Sequence, residues 1–193
     1  MKDKGIAIFG GTFNPIHYGH LNLALTARNK LKLDKVIFVP AYIPPHKKIT
    51  DKIFPNYRLN MVKLAIKGKK GFIYSDYEIK KKNKSYSIST IKYFKRKFEK
   101  RAEIYFLIGS DSLSDIYKWK DINKAMELAQ FVVFARPGRP IKNRPNGIYK
   151  IALKEKDISS TDIRDAVRKN KSIKNLTPAA VAEYIKKKKL YLK

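Results

Sequence analysis

Ile6-Ala7-Ile8-Phe9-Gly10-Gly11-Thr12-Phe13-Asn14-Pro15-Ile16-His17-Tyr18-Gly19-His20 is the stretch whose reading decides the fold. Its first four residues form an uninterrupted apolar run, as expected of a strand buried on both faces of a sheet. Gly10 and Gly11 end the run, and a helical pattern opens at Leu21. Strand, glycine turn and helix N-terminus together make a phosphate cradle, because unpaired backbone N–H groups and the helix dipole face the same anion. His17 and His20 are three residues apart and fall on one side of the first helical turn. Two imidazoles at such a turn point to chemistry on a nucleotide phosphate.

Outward from this stretch, strand and helix patterns alternate. Leu21, Ala24, Leu25 and Leu31 are expected on one helix face. Val36 to Val39 reads as a strand ended by Pro40, and the prolines at 44 and 45 make the next segment irregular. Pro55 suits a first helical position, ahead of Tyr57, Met61, Leu64 and Ala65. Phe72 to Tyr74 is a strand, and Ser87 opens a helix carrying Ile88, Ile91, Phe94 and Phe98. Ile104 to Ile108 is the strongest strand and closes on Gly109-Ser110-Asp111. A helix over 122–128, a strand over 131–134, a Pro/Gly-rich loop over 137–147, a short strand near 148–153 and two terminal helices complete the order. The expectation is an α/β fold, a Rossmann-like doubly wound parallel sheet with helices on both faces, in one domain spanning 1–193. Ligands of such sheets bind at the carboxyl ends of the strands.

The chain has 193 residues and no cysteine, which excludes disulfides and thiolate metal sites. The N-terminal residues carry no signal-peptide pattern, and no apolar run nears the ~20 residues of a membrane span. A cytoplasmic protein without a membrane partner is expected. The net charge of +28 suits anionic partners, yet much of it lies in lysine runs such as 80–82 and 186–189 that read as solvated faces. No aromatic-rich binding signature or zinc pattern accompanies it, so no nucleic-acid partner is expected. Steering of small anionic substrates follows in either case.

A second motif, Ile158-Ser159-Ser160-Thr161-Asp162-Ile163-Arg164, admits two readings. Ser159 with Asp162 fits a capping box, a purely structural device. A hydroxyl-rich helix start followed by Arg164 also makes a phosphate clamp.

Together the HxGH motif at 17–20 and the ISSTxIR motif at 158–164 resemble those of the nucleotidyltransferase α/β-phosphodiesterase superfamily. The inner landmarks resemble the bacterial nicotinate-mononucleotide adenylyltransferase family. They are Gly10 to Pro15, Pro44-Pro45-His46-Lys47, Ser85-Tyr86-Ser87, Gly109-Ser110-Asp111-Ser112, Trp119, Ala135-Arg136-Pro137-Gly138, and Tyr184-Ile185 to Leu190-Tyr191. The resemblance covers nearly the whole chain. It implies an ATP-dependent nucleotidyltransferase that passes AMP from ATP to nicotinate mononucleotide, giving nicotinate adenine dinucleotide and pyrophosphate.

The same resemblance implies the roles. His17, His20 and Arg164 form the catalytic set, the imidazoles acting on the ATP phosphates as charge stabilisers. Gly10, Gly11, Thr12, Phe13, Gly19, Gly109, Asp111, Arg136, Ile158, Ser159 and Ser160 contact ATP, with Ser160 and Arg164 on the β- and γ-phosphates. Asp111 meets ribose hydroxyls, and Arg136 borders the adenine. Lys47, Ser87 and Trp119 take the mononucleotide, the ring stacking on Trp119. Mg²⁺ arrives on the ATP oxygens, since no carboxylate cluster suggests a protein-built metal site.

The chain departs from the family pattern in three places: Asn14 stands for Asp, Ser87 for Thr, and Lys120 for an aromatic. These bear on preference for nicotinate over nicotinamide, so nicotinamide or dual specificity is an alternative. Other HxGH nucleotidyltransferases share the outer motifs, but the Pro-Pro-His-Lys loop and the lone tryptophan distinguish this chain from them. Oligomeric state is left open.

Overall fold

The computed structural model describes residues 5–45, 51, 53–98, 102–113, 115–135, 147–153 and 158–192. Among the described residues six strands form one sheet: β1 (Gly5–Gly11), β2 (Lys35–Pro40), β3 (Phe72–Tyr74), β4 (Glu103–Gly109), β5 (Gln130–Ala135) and β6 (Ile148–Ala152). Among the same residues seven α-helices accompany them: α1 (Tyr18–Lys30), α2 (Pro55–Ile66), α3 (Tyr77–Lys81), α4 (Ser87–Phe98), α5 (Ile122–Leu128), α6 (Ser160–Arg168) and α7 (Ala179–Lys187). The strand order is β3-β2-β1-β4-β5-β6, and every pairing is parallel.

Alternation of side chains along each strand divides the core into two layers. Ala7, Phe9, Phe38, Leu107, Val132 and Phe134 face one way, packing on Leu21, Met61, Ile163, Val181 and Ile185 of α1, α2, α6 and α7. Ile6, Ile8, Ile37, Phe106, Ile108 and Val133 face the other way, against Ile88, Ile91 and Phe94 of α4 and Ala125 of α5. The sheet is therefore wound on both sides, as the strand composition led us to expect. No helix among the described residues is long and apolar enough to cross a membrane.

The chain winds away from β1 in both directions, to β2 on one side and to β4 on the other. Such a reversal opens a crevice beyond the carboxyl ends of the two central strands. Gly10-Gly11 ends one of these strands and Gly109 ends the other.

One local expectation is corrected. Leu25 is exposed, because the buried stripe of α1 runs through Leu21, Leu23, Ala24 and Ala27 instead. The five-residue helix α3 adds an element that left no sign in the sequence, being shorter than two turns and too polar to show a period. Asp111 lies within a 3₁₀ turn over Ser110–Ser112.

Candidate active site

The crevice at the switch point is a cleft of about 680 Å³, within the range of nucleotide-sized ligands. Gly10, Gly11, Thr12 and Gly109 lie along its base, with His17, Gly19 and His20 at the start of α1. Asp111, Ile158, Ser87 and Trp119 also line it. The structure thus gathers eleven of the expected site residues from both halves of the chain onto one cavity.

At the start of α1 the two imidazoles lie against each other, with ring centroids 3.7 Å apart and planes tilted by 39°. The His17 amide donates to His20 Nδ1 at 3.3 Å, so a neutral His20 ring carries its proton on Nε2. Phe13 packs edge-on against His20, centroids 5.1 Å apart, from a left-handed backbone with φ of 48°. Its side chain is buried beneath the imidazole. Space at Gly19 is tight: a Cβ there would sit 3.0 Å from His17 Nδ1 and 3.4 Å from the Ile158 carbonyl, so the His17 ring would have to give way.

The turn between β1 and α1 is held from behind by side chains drawn from across the chain. Arg58 Nη1 donates to the Thr12 carbonyl at 2.8 Å, and Arg164 Nη1 to the Asn14 carbonyl at 3.0 Å. Ser160 Oγ donates to the Pro15 carbonyl at 2.9 Å, and Thr177 Oγ1 to the Ile16 carbonyl at 2.8 Å. The Asn14 side chain accepts from Tyr191 Oη at 2.8 Å and donates to the Asp51 carbonyl at 3.1 Å. Buried carbonyls need donors, and this turn is too irregular to find them in a ladder. Its supports come from α2, α6 and the segments flanking α7.

Ser160 and Arg164, expected at the β- and γ-phosphates, are placed here bracing the turn that carries His17 and His20. Arg164 Nε also donates to Asp51 Oδ2 at 2.6 Å, and Arg168 pairs with the other Asp51 oxygen. Burial works to raise the Asp51 carboxyl, but hydrogen bonds and charge from Arg168 and Arg164 outweigh it and hold the group below its ordinary value. Ser159 accepts from the Asp162 amide at 3.1 Å while its own amide donates to Asp162 Oδ2 at 3.2 Å. Of its two readings, the capping box is realised. Lys47 and Arg136 lie outside the described residues.

At the other end of the cleft, Trp119 meets Phe106 edge-on, at 6.3 Å and 88°. Lys120 Nζ stands 5.2 Å from the Tyr86 ring centroid, so a cation faces the same end. Sequence reasoning missed Glu78 on this wall, as well as Asp51, Arg58 and Thr177 behind the turn. Hydropathy gives no signal for a buried charge paired over long sequence distance. Tyr191 alone was flagged, as a landmark of the resemblance. Among the described residues no three His, Asp or Glu side chains group as a metal site.

A family model described as cytidylyltransferase-like matches residues 8–166. A protein of Clostridium tetani named "Probable nicotinate-nucleotide adenylyltransferase" is 47% identical over 99% of this chain and its own full length. One of the same name from Clostridium acetobutylicum is 43% identical, with both chains fully covered. Among solved structures, the nicotinic acid mononucleotide adenylyltransferase of Plasmodium falciparum, complexed with APC, superposes with a TM-score of 0.77. It is 22% identical, with 97% of each chain covered, a likeness of fold.

Proposed function

This chain belongs to the nicotinate-nucleotide adenylyltransferase family, within the cytidylyltransferase-like group, and we propose that it transfers AMP from ATP to nicotinate mononucleotide. The products are nicotinate adenine dinucleotide and pyrophosphate. The observation that carries this reading is the adjoining His17–His20 pair at the start of α1, opening into a cleft that Trp119 and Ser87 also line.

The nucleophile is a phosphate oxygen of the mononucleotide. With a second pKa of about 6, such a phosphate is already largely dianionic at neutral pH and needs no general base. Its oxygen forms a bond to the α-phosphorus of ATP as the bond to the bridging oxygen of pyrophosphate breaks. The protein supplies alignment of two polyanions and relief of charge on the leaving group. His17 and His20 donate toward the ATP phosphates, aided by the N-terminal dipole of α1. Gly10, Gly11 and Gly109 let the nucleotide approach the backbone, and Asp111 accepts from ribose hydroxyls. ATP is taken as its magnesium complex, the ion riding on phosphate oxygens.

Arg58, Ser160, Arg164 and Thr177 act one step back, fixing the turn that aims the imidazoles. Trp119 stacks the pyridine ring, with Ser87 near its carboxylate and Lys120 favouring that charge over a carboxamide. Lys47 takes the mononucleotide phosphate, and Arg136 borders the adenine. Residues 1–193 act as one domain, in the cytoplasm, on small-molecule substrates. The test is pyrophosphate release from ATP with nicotinate mononucleotide, nicotinamide mononucleotide or phosphopantetheine as acceptor. Fastest release with the nicotinate compound is expected, and release only with another acceptor overturns the assignment.

A further inference from the structure

Glu78 is a buried carboxylate on the cleft wall that the reaction above does not use. It is 8% exposed, on α3, and faces hydroxyls from two other segments. Thr90 Oγ1 of α4 donates to Glu78 Oε1, and the Ser85 hydroxyl, lining the same cleft, also favours the charged form of that carboxyl. In its ionised form the carboxylate offers only acceptors, so it draws both hydroxyl protons toward itself.

That pull decides what Ser85 does next. A hydroxyl has one proton and two lone pairs; with the proton drawn toward Glu78, a lone pair accepts the Tyr42 amide at 2.8 Å. The Ser85 amide donates in turn to the Ile43 carbonyl at 2.9 Å, beside a parallel bridge between Ile43 and Lys84. The segment leading to Pro44 and Pro45, both on the cleft wall, is thereby clamped to Ser85.

The backbone carbonyl of Tyr42 accepts from Arg58 Nη2 at 3.2 Å. Arg58 is 1% exposed and its Nη1 reaches the Thr12 carbonyl at the base of the cleft. Glu78, Ser85, Tyr42, Arg58 and Thr12 thus form one connected path from the Trp119 end of the cleft to the histidine turn. Burial pushes the Arg58 guanidinium down to about 10, with the Tyr191 and Glu78 charges opposing it. Burial likewise raises the Glu78 carboxyl, against the Thr90 and Ser85 hydrogen bonds and the Lys81 and Arg58 charges.

We propose that Glu78 is a positioning residue for mononucleotide binding: through Ser85 it fixes the Tyr42–Pro45 wall, and through Arg58 that wall is registered against the Thr12 turn. This rests on the reading that ATP lies at the histidine end and the mononucleotide at the Trp119 end. The residue touches no reacting atom. Its removal loosens one wall, so the effect falls on mononucleotide affinity and spares ATP.

Trp119 is the only tryptophan and lines the cleft, so its fluorescence follows the mononucleotide, while calorimetric titration follows ATP. In Glu78→Gln the amide places N–H donors against hydroxyls already aimed inward, and one must turn away. Titration with nicotinate mononucleotide alone is expected to weaken about tenfold, the scale of a sub-ångström misplacement, with ATP alone changed less than about twofold. Ser85→Ala should reproduce the split while leaving the Thr90 contact, and Ser85→Thr, which keeps the hydroxyl, should restore affinity. Should Glu78→Gln fail to fold by circular dichroism, the Ser85 pair carries the test alone. Equal loss for both ligands, or no loss for either, overturns the proposal while the wild-type reaction stands. A wild-type chain that neither binds the mononucleotide nor releases pyrophosphate overturns the proposal and the reading beneath it together.

Discussion

Thr177 Oγ1 donates to the Ile16 carbonyl at 2.8 Å across 161 positions of sequence, and Thr177 has no solvent exposure. Ile16 immediately precedes His17, so this bond fixes the peptide from which the first imidazole springs. Thr177→Val keeps the shape and strands the carbonyl, at a cost of about 2 kcal/mol, or roughly 5 °C in melting midpoint for a chain of this size. Calorimetry alongside pyrophosphate release should show both numbers fall. A variant as stable and active as the parent would mean the turn holds itself.

Asp51 gives a pH-dependent prediction. Its carboxyl titrates below its ordinary 3.8 in the folded chain, because the two arginines outweigh burial. A depressed folded pKa means the stabilisation is complete above the unfolded value and is lost as pH falls through the folded one. Asp51→Asn should therefore cost about 2 kcal/mol at pH 7, less than a fully buried pair because Arg168 is partly exposed. That gap should shrink once pH drops below about 4, as the parent's carboxylate takes up its proton. Denaturant melts at pH 7 and pH 3 check it; a gap that is constant with pH contradicts the ion-pair account.

Arg164 serves Asp51, the Asn14 carbonyl and Thr161 from one planar fork. Lysine keeps the charge and cannot span three acceptors. Arg164→Lys is expected to lower kcat about tenfold, with KM for ATP within about threefold, since the residue aims the turn rather than gripping the nucleotide. Steady-state kinetics in both substrates separate the cases. A large rise in KM for ATP at unchanged kcat would return Arg164 to the triphosphate.

His20→Ala removes a donor at the point where charge builds on the leaving group. Loss of one such donor typically costs about 10²- to 10³-fold in kcat. Mononucleotide binding, followed through Trp119, should change less than about threefold, because the lost interaction belongs to the transition state. Turnover near the parent's would remove the imidazole from the chemistry.

How much was legible follows from how local each signal is. β1 and β4 were readable because Ile6 to Phe9 and Ile104 to Ile108 are unbroken apolar runs that end in glycine, and strand burial depends on composition alone. The histidine turn was readable because its chemistry is contiguous. The Ser159 capping box was readable too, being complete within four residues. The bracing bonds of Ser160 and Arg164 were not, because their acceptors lie about 150 positions away on the first turn. Glu78, Arg58 and Asp51 left no trace either: a buried charge looks like a solvated one until its partners are in place.

The bracing of the first turn also has a consequence for biosynthesis. Asn14 is translated 177 positions before its partner Tyr191. Until then the nascent polypeptide carries His17 and His20 on an unbraced turn. The full set of supports is therefore assembled only when the segment after α7 has been made.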